Sequence, residues 1–132
     1  MNDIDVSTIA RAANANGGGK PDFSRIRTID GLDVRGKRVL VRVDFNVPIK
    51  DGIVGDTTRI ERVLPTIKQL LAGGAKVIVL SHLVRPKTGT MTDTTLRPIA
   101  DKMAELMPGT KVTFIDNCVG EETRRGVDAL QP

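Results

Sequence analysis

The sequence predicts an α/β protein built as a three-layer α/β/α, Rossmann-like parallel sheet, and three observations carry that prediction. Val39, Leu40, Val41 and Val43 form a nearly continuous β-branched and aliphatic run, and Lys76 to Leu80 (KVIVL) forms a second. Such runs are the pattern of strands covered on both faces, as in a parallel sheet. Amphipathic stretches of helical period follow each run, so the chain reads β-α-β-α-β-α, with crossovers that make the strands parallel and put helices on both faces.

Taken in order, residues 1–26 contain NANGGGK and no apolar periodicity, and they read as a flexible lead segment. Residues 27–132 then form a partial α/β domain; at 132 residues the chain holds one domain at most. After the first strand Lys50-Asp51-Gly52 is a turn signal, and Asp56-Thr57-Thr58 offers helix caps. Thr58 and Glu61 have capping-box spacing, which places Arg59 at the first helical position. Ile60, Val63, Leu64, Ile67, Leu70 and Leu71 recur at helical intervals until Gly73-Gly74 stop the helix, with Pro65 inside it. The second strand is followed by a loop through Thr88 to Asp93. Next comes a helix with Leu96, Ile99, Met103 and Leu106 on one face and Pro98 in its first turn, closed by Pro108-Gly109. Lys111 to Ile115 reads as a third strand, and Glu121 to Leu130 as a weaker helix that contains Gly126.

Composition narrows the function. Twenty basic against sixteen acidic residues leave +4, an excess that favours anionic ligands. Three Phe, no Tyr and no Trp leave little on which bases stack, so no nucleic-acid partner is expected. No run is long enough to cross a membrane, residues 1–26 lack a signal-peptide core, and the single Cys118 fits a reducing compartment; a cytoplasmic location is expected. His82 is the only histidine and no second His or Cys stands at metal-ligand spacing, so no metal site is expected. No P-loop, G-x-G-x-x-G, nucleophile elbow or H-E-x-x-H is present.

The polar residues collect where the strands end. Asp44 and Asn46 follow the first strand directly, and His82 and Arg85 follow the second. Open parallel sheets take ligands beyond the carboxyl ends of their strands, so these loops meet over a shared crevice. Arg59 joins them only if the Asp51 to Thr57 loop folds back, in which case its guanidinium and the free amides of the helix start converge on the same anion. The set suits a small phosphorylated or carboxylated molecule with hydroxyls. Each residue also has a plain structural reading: Asp44 and Asn46 as loop caps, His82 as a satisfied loop residue, Arg59 as a solvated helix residue, Arg85 as a surface cation beside Pro86. Arg42, inside a buried-type strand, must pair with a carboxylate or protrude at an edge.

The strings GKRVLVRVDFNVPIKDG (Gly36 to Gly52), DTTRIERVLPTI (Asp56 to Ile67) and GAKVIVLSHLVRPK (Gly74 to Lys87) resemble, in order and spacing, the amino-terminal domain of phosphoglycerate kinase. The similarity continues through Leu96 to Leu106 and DNCVGEE, and covers about Ile29 to Pro132. The resemblance implies a domain that binds 3-phosphoglycerate. It also implies a carboxyl-terminal domain that binds MgATP or MgADP, and glycolytic phosphoryl transfer between 1,3-bisphosphoglycerate with ADP and 3-phosphoglycerate with ATP when the two close. By the same resemblance Asp44, Phe45 and Asn46 match the substrate-hydroxyl segment. Arg59 matches the catalytic arginine on the transferring phosphoryl group. His82, Leu83, Val84 and Arg85 match the substrate loop, and Arg42 belongs to the same basic patch. Such chemistry needs positioned cations and no protein nucleophile.

Two departures from the family pattern stand out. Val84 replaces a glycine before Arg85, and if its φ is positive the strain is about 1 to 3 kcal/mol. The sequence also ends at Pro132, where the family continues into a further strand that ends in ENLRF and lies between the second and third strands of its sheet, then the rest of the domain and the nucleotide domain. The 132 residues alone are therefore expected to be inactive and to bind no nucleotide cofactor, with the full-length enzyme a monomer. The alternative is a non-catalytic anion-binding or interaction module derived from that enzyme.

Overall fold

Val39 and Val41 are half-buried while Arg38, Leu40 and Arg42 alternate outward, so the first strand is covered on one face only. The computed structural model describes Ser24, residues 26–83 and residues 95–132. The expected lead segment lies almost wholly outside the described residues, and so do Val84, Arg85 and the Thr88 to Asp93 loop. The chain divides into two units, Met1–Leu32 and Asp33–Pro132. In the described part of the first, Thr28 Oγ1 donates to Asp30 Oδ2 at 3.0 Å, and the Leu32 amide reaches the Ile29 carbonyl at 3.3 Å.

The second unit carries the assigned elements: β1 (Arg38–Arg42), β2 (Ile49–Lys50), β3 (Ile53–Val54), α1 (Thr58–Ala72), β4 (Lys76–Leu80), α2 (Arg97–Leu106) and α3 (Glu121–Asp128). β1 pairs in parallel with β4, Arg38 opposite Lys76 through Arg42 opposite Leu80. This is the α/β arrangement with a parallel sheet that the alternation of strand and helix implies.

Lys111 to Ile115 forms no ladder, although its composition resembles that of a strand. A strand is held by its neighbour's hydrogen bonds, and among the described residues none lies beside this segment. The two-faced cover expected of the strands is met by the half-buried Val77, Ile78 and Val79 of β4 but is incomplete on β1. Val77 and Val79 pack with Val43 against the core, whereas Leu40, at 63% exposure, and Leu80 sit on the other face in solvent.

The Asp51-Gly52 signal turned out to be a hairpin. β2 and β3 are antiparallel, Lys50 opposite Ile53, and the two residues between them have φ of 51° and 74°. A two-residue type I′ turn requires positive φ at both positions, and Asp-Gly is a preferred pair for it. The hairpin buries Val54 and reverses the chain before α1 begins.

The start of α1 differs by one residue from the spacing argument. Asp56 Oδ1 accepts the Thr58 amide at 2.9 Å, which makes Thr58 the first helical residue, and Thr57 Oγ1 rather than Thr58 bonds to Glu61. The helix runs through Pro65, whose missing donor falls on the exposed face. Its far end is a Schellman closure: the Gly74 amide, at φ 79°, bonds to Leu71 O at 2.9 Å and the Ala75 amide to Leu70 O at 3.0 Å. Ile60, Leu64 and Ile67 of α1 then join Phe45, Val47, Val54, Ile99, Met103 and Met107 in one hydrophobic core. α2 packs on β3, and Arg97 stacks its guanidinium 5.6 Å from the Phe114 ring centroid. α3 buries no side chain; it is tied to β1 by Arg38 Nη2 to Asp128 Oδ1 at 2.6 Å.

Candidate functional site

Beyond the last residues of β1 and β4 the two chains stay in register for one more step. The Val43 amide bonds to Leu80 O at 2.9 Å, and the Phe45 amide then bonds to the Ser81 side-chain Oγ at 3.0 Å. The Asn46 amide turns back onto Asp44 Oδ1 at 3.0 Å, and the Val47 amide onto Phe45 O at 2.8 Å. Three successive amides are thus satisfied from within the protein. This loop offers no backbone cradle for an anion, so any anion here is left to side chains.

Asp44 caps its loop, as its plain structural reading has it, and also pairs with Arg59. Its Oδ1 caps its own loop, while its Oδ2 accepts from Arg59 Nη1 at 2.7 Å. The condition for Arg59 is met, because the β2-β3 hairpin folds the chain back and returns the start of α1 to the carboxyl edge of β1. Both side chains are more than half exposed, 53% for Arg59 and 60% for Asp44, so the pair faces solvent. The Asp44 carboxyl is held below its usual range, first by the Asn46 amide, then by the charges of Arg59 and His82. Asp56, just before α1, is lowered as well, by hydrogen bonds from the Thr58 hydroxyl and amide.

Phe45 occupies a different place from the one its motif suggests. It is 2% exposed and belongs to the core, so its ring anchors the loop while Asp44 and Asn46 flank it outside the core centre. Leu83 repeats this arrangement after β4: it packs against the same core, and His82 before it is exposed. Each loop is therefore pinned by one apolar side chain whose preceding polar neighbour stays exposed. Arg42 protrudes from the open face of β1 and makes no ion pair among the described residues. Val84 and Arg85 lie outside the described residues. Ser81 was missed by the sequence reading. Its signal was a hydroxyl at the first position after β4, level with an amide that had run out of strand to pair with.

No group of three or more His, Cys, Asp or Glu side chains converges among the described residues, and no helix among them is long and apolar enough to cross a membrane.

Helices on a parallel sheet, with polar side chains gathered at its carboxyl edge, define a Rossmann-like α/β domain whose polar edge is where such folds take their ligands. The family model described as phosphoglycerate kinase matches residues 29–132. The chain belongs to the phosphoglycerate kinase family. It is 50% identical over 105 residues to the phosphoglycerate kinase of Granulibacter bethesdensis, covering 80% of this chain and 26% of that protein. With that of Fervidobacterium nodosum it shares 52% identity over 104 residues, 79% of this chain and 26% of that one. Among solved structures, phosphoglycerate kinase from Pyrococcus horikoshii matches with a TM-score of 0.69 and 32% identity, over 78% of this chain and 25% of that chain. The enzyme from Coxiella burnetii matches with a TM-score of 0.53 and 38% identity, over 59% and 20%. The chain spans about a quarter of the length of the curated relatives it matches.

Proposed function

We propose that this chain supplies the 3-phosphoglycerate half-site of a cytoplasmic, glycolytic phosphoglycerate kinase. The observation that carries the proposal is the Asp44–Arg59 pair, held at the carboxyl edge of β1 with His82 close enough to act on the Asp44 charge. A guanidinium has five N–H donors and Arg59 gives one of them to Asp44, so its planar group is oriented and its remaining donors are available for phosphoryl oxygens. Asp44 stays ionised at neutral pH, and with Asn46 it accepts and donates to the hydroxyl of the substrate. The family resemblance assigns His82 to the carboxylate or hydroxyl end, and Leu83, Val84 and Arg85 with Arg42 to the part of the site that takes the remote phosphate.

In this reading the phosphoryl group passes between the acyl oxygen of 1,3-bisphosphoglycerate and the terminal phosphate oxygen of ADP. Arg59 carries the charge that spreads over the transferring oxygens, an electrostatic task that needs no covalent intermediate. The family resemblance assigns the magnesium-bound nucleotide, as substrate, to a carboxyl-terminal domain. The chain alone is then inactive, and the complete enzyme works as a monomer.

The test is direct. Purified chain given ATP and 3-phosphoglycerate is expected to show no turnover, while the chain joined in frame to a nucleotide domain turns over and loses that activity in Arg59→Ala. Turnover by the 132-residue chain, freed of host kinase, refutes the half-site assignment. Equal affinity for 3-phosphoglycerate and for sulfate refutes it in favour of a general anion-binding module.

A further inference from the structure

The parallel ladder ends at Arg42 and Leu80, and the Val43 amide to Leu80 O is its last main-chain bond. One residue later the backbone of β4 no longer serves β1, and the Ser81 Oγ stands in as acceptor for the Phe45 amide at 3.0 Å, in a partly buried position. The next two amides bond within their own loop. Among the described residues this contact is the one hydrogen bond that joins the Asp44 to Asn46 segment to the loop that carries His82.

We infer that Ser81 is a positioning residue of the site: its hydroxyl fixes the Asp44-Phe45-Asn46 segment against the end of β4 and so sets the spacing between Asp44 and His82. The inference rests on the reading of that edge as the ligand site. The buried Phe45 ring fixes the segment in depth, but a side chain alone leaves rotation about its own axis. The hydrogen bond from the Phe45 amide to Ser81 Oγ adds a second fixed point, on the β4 side. Loss of the oxygen leaves the Phe45 N–H without its partner in a site where water replaces it poorly.

Ser81→Thr and Ser81→Val test this, because the two new side chains have the same shape and differ in the hydroxyl. In isotope-labelled chain, NMR follows Phe45 amide exchange, the titration of the Asp44 carboxyl, and binding of 3-phosphoglycerate against sulfate. Ser81→Thr is expected to stay within about twofold of the parent in all three. Ser81→Val is expected to speed Phe45 exchange about fivefold, as loss of one net hydrogen bond does, to move the Asp44 midpoint toward its ordinary value, and to weaken 3-phosphoglycerate binding about fivefold. Identical Phe45 exchange in the two variants overturns the inference. Faster exchange in Ser81→Val with an unmoved Asp44 midpoint also overturns it, since the bond then serves the fold and not the site. If the parent chain prefers 3-phosphoglycerate no more than sulfate while the Asp44 midpoint still responds to Ser81→Val, the ligand assignment fails and the positioning role stands.

Discussion

Phe45→Ala should unfold much of the site without removing any atom that touches a ligand. The ring is 2% exposed and packed in the cluster that also holds Val47, Val54, Ile60 and Leu64, so nearly the whole side chain is out of water. An aromatic side chain buries about 150 to 250 Å². At about 25 cal/mol per Å² that corresponds to about 4 to 6 kcal/mol of transfer free energy. Truncation leaves Cβ in place and the core relaxes in part, so the expected loss is about 3 to 5 kcal/mol. Domains of this size are stable by about 5 to 15 kcal/mol, which puts the alanine variant close to the threshold. Phe45→Leu should lose only about 1 to 2 kcal/mol and remain folded. Urea unfolding followed by far-ultraviolet circular dichroism measures both, the chain having neither Trp nor Tyr for fluorescence. A loss below about 1 kcal/mol in Phe45→Ala, with the urea slope unchanged, would refute the placement of this ring in the core and return it to the ligand.

Three further outcomes are expected. In the chain joined to its nucleotide domain, Arg59→Ala should lower kcat far more than it raises KM for 3-phosphoglycerate, at a cost of about 3 to 4 kcal/mol in the transition state; steady-state kinetics with an unchanged kcat would make Arg59 a binding residue only. The Asp44 carboxyl is lowered in the folded chain, so its share of stability is present above the ordinary carboxylate value of about 3.9 and is lost as pH falls through the lower folded value. Carboxyl NMR should find its midpoint below that value, and closer to it in Arg59→Ala, with the Asn46 amide keeping part of the shift. At Gly126, a new Cβ meets Ile115 Cδ1 at 2.1 Å, against a helix-propensity gain of up to about 1 kcal/mol. Gly126→Ala combined with Ile115→Val should therefore be more stable than the sum of the single changes, by at least about 0.5 kcal/mol in a double-mutant cycle of urea midpoints.

The elements legible in the sequence were those whose partners lie within the described chain. Val39, Val41, Val77 and Val79 announced two strands, and Ile60 through Leu71 announced α1, because the strands answer each other in a parallel ladder and the helix is answered by packing that the structure contains. Lys111 to Ile115 has strand composition, but pairing is a property of two segments, and the second is not written in the first. The exposure of Leu40 was hidden for a similar reason: a valine-rich run states that a surface is apolar, not that something covers it. At the site, Asp44, Asn46 and His82 were placed by the rule that parallel strands end at one edge. Arg59 depends on a reversal encoded by Asp51 and Gly52, a pair that signals a turn without stating what the turn brings together. The dual use of Asp44, one oxygen for its loop and one for Arg59, and the bond from Phe45 to Ser81 depend on a fraction of an ångström of backbone placement, which periodicity does not carry.

The hairpin has a consequence for the order of folding. β1 and β4 are separated by roughly forty positions, and closing so long a loop costs entropy before any strand bond forms. A two-residue turn that adopts its shape locally closes in about 1 to 10 μs, and a helix such as α1 forms faster still. Once the Asp51-Gly52 turn and α1 are in place, the free loop between the strands shrinks to a few short joints, and the start of α1 is already returned toward β1. A pair of exposed residues in a turn thereby shortens the interval in which the apolar strands are open to other chains.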